Sequence, residues 1–121
     1  KKAGLPMELI IDIEADELAM DMPYDLHLVV LDVRQETEFG DGHVRGAINI
    51  PLHELTDPGS MANFTDQHNL YVHCGSGYRS VTAASLMKRQ GIHNLRNVLG
   101  GWKAISEQKK IEVVKENSVL N

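Results

Sequence analysis

The sequence is poor in cysteine: its 121 residues include one, Cys74. A single thiol excludes an internal disulfide and any multi-cysteine metal site, and it fits a reducing compartment, so a cytoplasmic location is expected. Long apolar runs are missing too. None approaches the ~20 residues needed to cross a membrane. No basic segment followed by an apolar one opens the chain, so no signal peptide and no membrane partner are expected. Positive charge is scarce: 12 Lys and Arg stand against 17 Asp and Glu, a net charge of −5. That balance excludes the general electrostatic footprint of a nucleic-acid binder. His27, His53, His68, His73 and His93 have no metal-ligand spacing, so no metal or other cofactor is expected.

The remainder is ordinary for a globular protein, with 42% apolar and 24% charged residues. The length fits one domain over 1–121, with a core of about 7–110 and a frayed tail over 111–121. The first residues are Lys1-Lys2 rather than a methionine, which suits either a domain of a longer protein or a processed chain. Charge is uneven: residues 1–60 carry 13 acidic and 4 basic side chains, residues 61–121 carry 4 and 8. Cys74 lies in the basic half, which suits an anionic substrate; a chance asymmetry of a solvated surface reads equally well.

Leu9 to Ile13, Leu28 to Val33, Ala47 to Ile50, Leu70 to His73 and Leu95 to Leu99 read as strands. The run Leu28-Val29-Val30-Leu31-Asp32-Val33 barely alternates, as in a parallel strand covered on both faces. Helices are expected at Asp16–Met20, at Ser80–Gln90 and at Trp102–Lys110. One helical turn is expected at Thr37-Glu38-Phe39, and one short helix within the looser 53–68. The apolar face of the Ser80–Gln90 helix is read as Val81, Ala84 and Met87, with Ala83 and Leu86 beside them. Trp102 reads as core. Alternating strands and helices argue for an α/β fold with a mainly parallel sheet, whose ligands bind beyond the carboxyl ends of the strands.

Cys74 stands at such an end. Gly75, Ser76, Gly77 and Tyr78 follow it, then Arg79 and Ser80 at a helix start. Unpaired N–H groups of a loop and a first helical turn make an anion cradle. Glycines tolerate the backbone angles that such a nest needs. Those groups, with a guanidinium nearby, favour a thiolate. The plain alternatives are a buried structural cysteine, an Arg79 that forms a structural ion pair, and a Tyr78 that is an exposed aromatic without a role.

Three motifs together resemble the rhodanese family. The first is Asp32-Val33-Arg34, then Glu38-Phe39 and Gly42-His43-Val44-Arg45-Gly46-Ala47-Ile48-Asn49-Ile50-Pro51. The second is Cys74-Gly75-Ser76-Gly77-Tyr78-Arg79-Ser80, and the third is Val98-Leu99-Gly100-Gly101-Trp102. The resemblance runs from about Leu28 to Trp102. It implies a single rhodanese domain: a five-stranded, mainly parallel sheet with helices on both faces, and a catalytic Cys74 that carries sulfur as a persulfide. Four residues separate Cys74 from Arg79, as in rhodanese-like sulfurtransferases; related phosphatases place five there.

The expected function is that of a thiosulfate sulfurtransferase. Cys74 takes the outer sulfur of thiosulfate or a related persulfide donor and passes it to a thiol or cyanide. Arg79 and the groups of Gly75, Ser76, Gly77, Tyr78 and Ser80 would bind the anion. Asp32 and Arg34 are read as mainly scaffold, with Arg34 paired to Asp32, Glu38 or another acid, and His43 as bonding backbone and fixing its turn. Without a second cysteine, the acceptor must be external. Fusion to, or association with, a larger sulfide-handling enzyme is a further expectation. The alternatives are a non-catalytic rhodanese-like interaction module and a cysteine-dependent phosphatase or arsenate reductase.

Overall fold

Five short runs rich in β-branched and leucine side chains build the central sheet. The computed structural model describes residues 10–62, 64, 67–76 and 79–115. In chain order the strands are β1 (Ile11–Ile13), β2 (Leu28–Asp32), β3 (His43–Val44), β4 (Ile48–Asn49), β5 (Asn69–His73), β6 (Leu95–Val98) and β7 (Val113–Val114). The helices are α1 (Ala15–Asp21), α2 (Glu36–Asp41), α3 (Arg79–Arg89) and α4 (Gly101–Glu107), with 3-10 turns at Leu52–Thr56 and Pro58–Met61. The main sheet is five-stranded in the order β1-β6-β5-β2-β4, with every pair parallel.

Side chains alternate across a strand, so this sheet feeds two cores. Leu31, Leu70, Val72, Cys74 and Leu95 pack with Ala83, Ala84 and Met87 of α3 on one face. Ile13, Val30, Tyr71 and Val98 pack with Leu18 of α1 and Ile105 of α4 on the other. Leu18, Leu31, Leu70, Met87 and Ile105 are fully buried; each such side chain stabilises the fold by roughly 1.5–3 kcal/mol. Helices thus cover both faces, and the carboxyl ends of β2 and β5 lie side by side, with Asp32 opposite His73.

Four expectations are corrected. The chain from 111 is not a tail throughout: Ile111 is buried and β7 pairs antiparallel with β3, His43 opposite Val114. Two apolar residues sufficed to make that strand, too short a run to carry a periodic signal. Within 53–68 two 3-10 turns replace the single helix, the second opened by Asp57, whose side chain accepts from Gly59 N–H at 3.0 Å. The inward stripe of α3 is Ser80, Ala83, Ala84 and Met87, and Val81 is 43% exposed. Ser80, a polar residue on the core side, hid that stripe. Trp102 is only partly buried: it packs against the edge of the second core, and Arg34 stacks over its ring. Among the described residues no helix is long and apolar enough to cross a membrane.

Candidate active site

Cys74 is the residue after β5 and is 1% exposed. Its carbonyl oxygen accepts two hydrogen bonds, from the Trp102 N–H at 2.6 Å and from His73 Nδ1 at 3.1 Å. The next carbonyl, of Gly75, accepts from the Lys103 N–H at 3.4 Å. The first turn of α4 therefore holds two successive loop carbonyls. In a planar trans peptide the N–H points opposite to its C=O. Anchoring the carbonyls on α4 turns the N–H groups of Gly75 and Ser76 away from it. The Gly100-Gly101-Trp102 segment makes this approach possible. Gly101 has φ +55°, and a Cβ there would strike the Cys74 carbonyl oxygen and sit 2.9 Å from that of Gly75.

The thiol side faces α3. Cys74 Sγ lies 3.6 Å from Ser80 Oγ, and Ser80 Oγ donates to Asn97 Oδ1 at 2.5 Å. Asn97 Nδ2 in turn donates to Asp12 Oδ1 at 3.0 Å. Ser80 and Asn97 are buried. Because the Ser80 proton is committed to Asn97, its oxygen receives the S–H in this arrangement.

Arg79 opens α3 and folds back over the loop; a Cβ on Gly75 would meet its Nη2 at 2.8 Å. Its guanidinium is engaged by Glu38 of α2, Nη1 to Oε1 at 2.9 Å and Nη2 to Oε2 at 3.2 Å. Glu38 also accepts from the Gln35 N–H at 2.8 Å, closing a capping box at the start of α2. The Arg79 hydrogen bonds hold the Glu38 carboxyl below its usual range, against some desolvation. Glu38 in return raises the Arg79 guanidinium, with Cys74 and Asp32 adding smaller charge effects of the same sign.

Beneath the loop lies a buried polar cluster. Arg34 grips Asp32 through Nε to Oδ1 at 2.9 Å and Nη2 to Oδ2 at 2.7 Å, and its Nη2 also donates to the Gly42 carbonyl at 2.7 Å. Its guanidinium stacks 4.5 Å from the Trp102 ring centroid. His73 is fully buried, with Nε2 3.6 Å from Asp32 Oδ2 and its ring alongside Trp102. Burial pushes the His73 imidazole below its ordinary value, opposed mainly by the Asp32 charge. His43, on β3, is set apart: its Nδ1 bonds the Phe39 carbonyl at 2.7 Å and its ring stacks on Phe39 at 3.8 Å.

The expected site residues thus fall into groups. Cys74, Gly75, Ser76, Arg79 and Ser80 share one end of the sheet, and Asp32 and Arg34 lie under it. His43 braces the α2–β3 corner. Gly77 and Tyr78 lie outside the described residues. Sequence reasoning missed Glu38 as the partner of Arg79, the α4 amides of Trp102 and Lys103, and the side chains of His73 and Asn97. His73 had a signal, as a polar residue ending the apolar run Leu70-Tyr71-Val72, whereas Asn97 stands beside Arg96 in a strand that is half polar. Among the described residues no group of three His, Cys, Asp or Glu side chains could hold a metal ion.

A family model and curated relatives show one family. The model of the rhodanese-like domain matches residues 14–108. YrkF of Bacillus subtilis (strain 168), provisionally named a sulfur carrier protein, is 37% identical over 93 residues, covering 77% of this chain and 48% of its own. Thiosulfate sulfurtransferase PspE of Escherichia coli (strain K12) is 33% identical over 79 residues, 65% of this chain and 75% of its own. The solution structure of the rhodanese-like domain of an Anabaena protein superposes with a TM-score of 0.78 at 21% identity, over 92% of this chain and 84% of that one. The chain spans 48% of the length of YrkF and 57% of that of a second Bacillus subtilis relative.

Proposed function

This chain belongs to the family of rhodanese-like domains, and from that premise we propose that it moves a sulfane sulfur from thiosulfate to a thiol or cyanide acceptor through a persulfide on Cys74. Relatives named sulfurtransferases support sulfur transfer in general. The observation that carries the finer reading is the anchoring of the Cys74 and Gly75 carbonyls on α4. It leaves the Gly75 and Ser76 amides free of the helix, on the side of the loop where an anionic sulfur would need donors.

In the first step the Cys74 thiolate attacks the outer sulfur of thiosulfate. An Sγ–S bond forms, the S–S bond of thiosulfate breaks, and its electron pair leaves with sulfite. The product, an anionic persulfide, carries the charge the thiolate had. Loop amides that held the thiolate then hold the outer sulfur, so the cradle serves both halves of the cycle. In the second step a thiolate or cyanide attacks that outer sulfur and Cys74 leaves as thiolate, giving a ping-pong scheme.

Arg79 is the cation at the mouth, and its planar fork suits the oxygens of a sulfonate-like group. A donor anion engages it by sharing or displacing Glu38. Ser80 turns from acceptor to donor when Cys74 ionises, moving its hydrogen from Asn97 to the sulfur. Asp32, Arg34 and His43 support the loop from below and beside it. No second thiol in this chain can resolve the persulfide, so the acceptor comes from elsewhere, on a small molecule or on a larger sulfide-handling partner.

Steady-state kinetics test the reading. Thiocyanate formation from thiosulfate and cyanide should give parallel double-reciprocal lines at varied cyanide, and Cys74→Ser should abolish it. Intersecting lines, or turnover that survives the substitution, would remove Cys74 from the covalent role.

A further inference from the structure

A histidine with a bare ring nitrogen is an expensive way to fill a core. His73 is fully buried, and its Nε2 has no hydrogen-bond partner among the described residues. Leaving a buried polar atom unpaired is destabilising, a cost that an aliphatic residue at the end of β5 would avoid. The other ring nitrogen shows what offsets that cost. Nδ1 lies 3.1 Å from the carbonyl oxygen of Cys74. A carbonyl only accepts, so the neutral ring carries its proton on Nδ1 and donates it there. Nε2 is then a lone pair, 3.6 Å from Asp32 Oδ2.

From this geometry we infer that His73 is a positioning residue for Cys74. By donating to the Cys74 carbonyl beside the Trp102 N–H, it fixes the Cys74–Gly75 peptide plane and sharpens the Gly75 N–H as a donor to sulfur. Two donors on one carbonyl polarise the amide, and a polarised amide donates more strongly from its N–H end. The effect reaches the sulfur through the backbone, with no contact between imidazole and substrate. The inference rests on the proposed thiolate chemistry but concerns a residue outside the cradle.

Among the described residues, groups on β2 and α4 face the ring. β2 presents Asp32, held by Arg34, and α4 presents Trp102, whose ring centroid lies 6.2 Å away. Asp32 is already doubly bonded by Arg34, so its oxygen has little to offer His73. At 3.6 Å from Nε2 it makes no hydrogen bond there, and the ring's proton stays on Nδ1, toward the carbonyl. Arg79 and Glu38 lie above the loop, beyond the peptide that His73 holds.

The test is the pH profile of Cys74 alkylation by iodoacetamide, compared among wild type, His73→Leu, His73→Asn and His73→Gln. Asparagine presents an amide N–H near the Nδ1 position; glutamine presents it near Nε2. We expect His73→Leu and His73→Gln to move the half-rise of the profile to higher pH and to slow alkylation at neutral pH by roughly 2- to 10-fold, the worth of one hydrogen bond. His73→Asn should restore most of the loss. A His73→Leu profile that overlays wild type would overturn the inference, as would equal shifts for all three variants, which would mean lost packing. If His73→Leu does not fold, the Asn and Gln pair decides alone. Alkylation needs no sulfur transfer, so a wild type that reacts this way yet takes up no sulfur would fault the proposed function and leave this inference standing.

Discussion

Arg79 and Glu38 form a bidentate ion pair across the mouth of the Cys74 loop, at 2.9 and 3.2 Å. The guanidinium expected to receive an anionic donor is therefore engaged by a carboxylate before the donor arrives. Both side chains are more than a third exposed or close to it, so the pair is loose enough to open. Partly exposed pairs are worth about 0.2–1 kcal/mol.

Glu38→Gln should release Arg79 without dismantling α2, because the glutamine carbonyl still accepts from the Gln35 N–H. Its expected effect is a lower KM for thiosulfate, by up to roughly fivefold, with kcat little changed. Arg79→Ala should raise KM. Initial-rate kinetics at low ionic strength measure both. An unchanged KM in the two variants would leave Arg79 as scaffold.

Gly101→Ala should damage the loop from its far side. The residue has a left-handed φ of +55°, and its new Cβ would sit against the Cys74 and Gly75 carbonyls. Strain of this kind costs about 1–3 kcal/mol, and moving the carbonyls misaims the amides. Denaturant unfolding should show the stability loss, and sulfur uptake should slow beyond what the residual folded fraction explains. A variant with wild-type stability and uptake would contradict the role given to α4.

Stability should depend on pH through His73. Burial lowers its folded-state pKa from 6.5, so below pH 6.5 the unfolded chain binds a proton that the folded one resists. The unfolded state gains protons, and stability falls as pH drops. The contribution is complete above pH 6.5 and is lost progressively below it. His73→Asn should flatten this part of the curve. Chemical denaturation between pH 5 and pH 8 measures it; equal slopes in wild type and variant would place the proton elsewhere.

The strands were legible in sequence, because their signal is local, and the expected nest has a local signature too. Leu28 to Asp32 and Leu70 to His73 announce themselves by apolar runs, and Cys74 to Ser80 by glycines beside a thiol and an arginine. Pairings across the chain were not legible. Arg34 does pair with Asp32, the first of the acids expected for it, but nothing near Glu38 says that Arg79, 41 positions later, would claim it. Ser80 broke the apolar pattern of α3 because its hydroxyl serves Asn97, and so the inward face was misplaced. Trp102 reads as core on hydrophobicity and does pack against the second core, but the backbone N–H that the loop uses leaves no mark in the sequence. β7 was missed because two valines gain a partner only when β3 is already in place.

The persulfide on Cys74 is tested most directly by the intact mass of the protein after incubation with thiosulfate. A gain of one sulfur atom is expected, removed by cyanide or a reducing thiol and absent in Cys74→Ser. No gain from thiosulfate, or a gain that persists in Cys74→Ser, would contradict it.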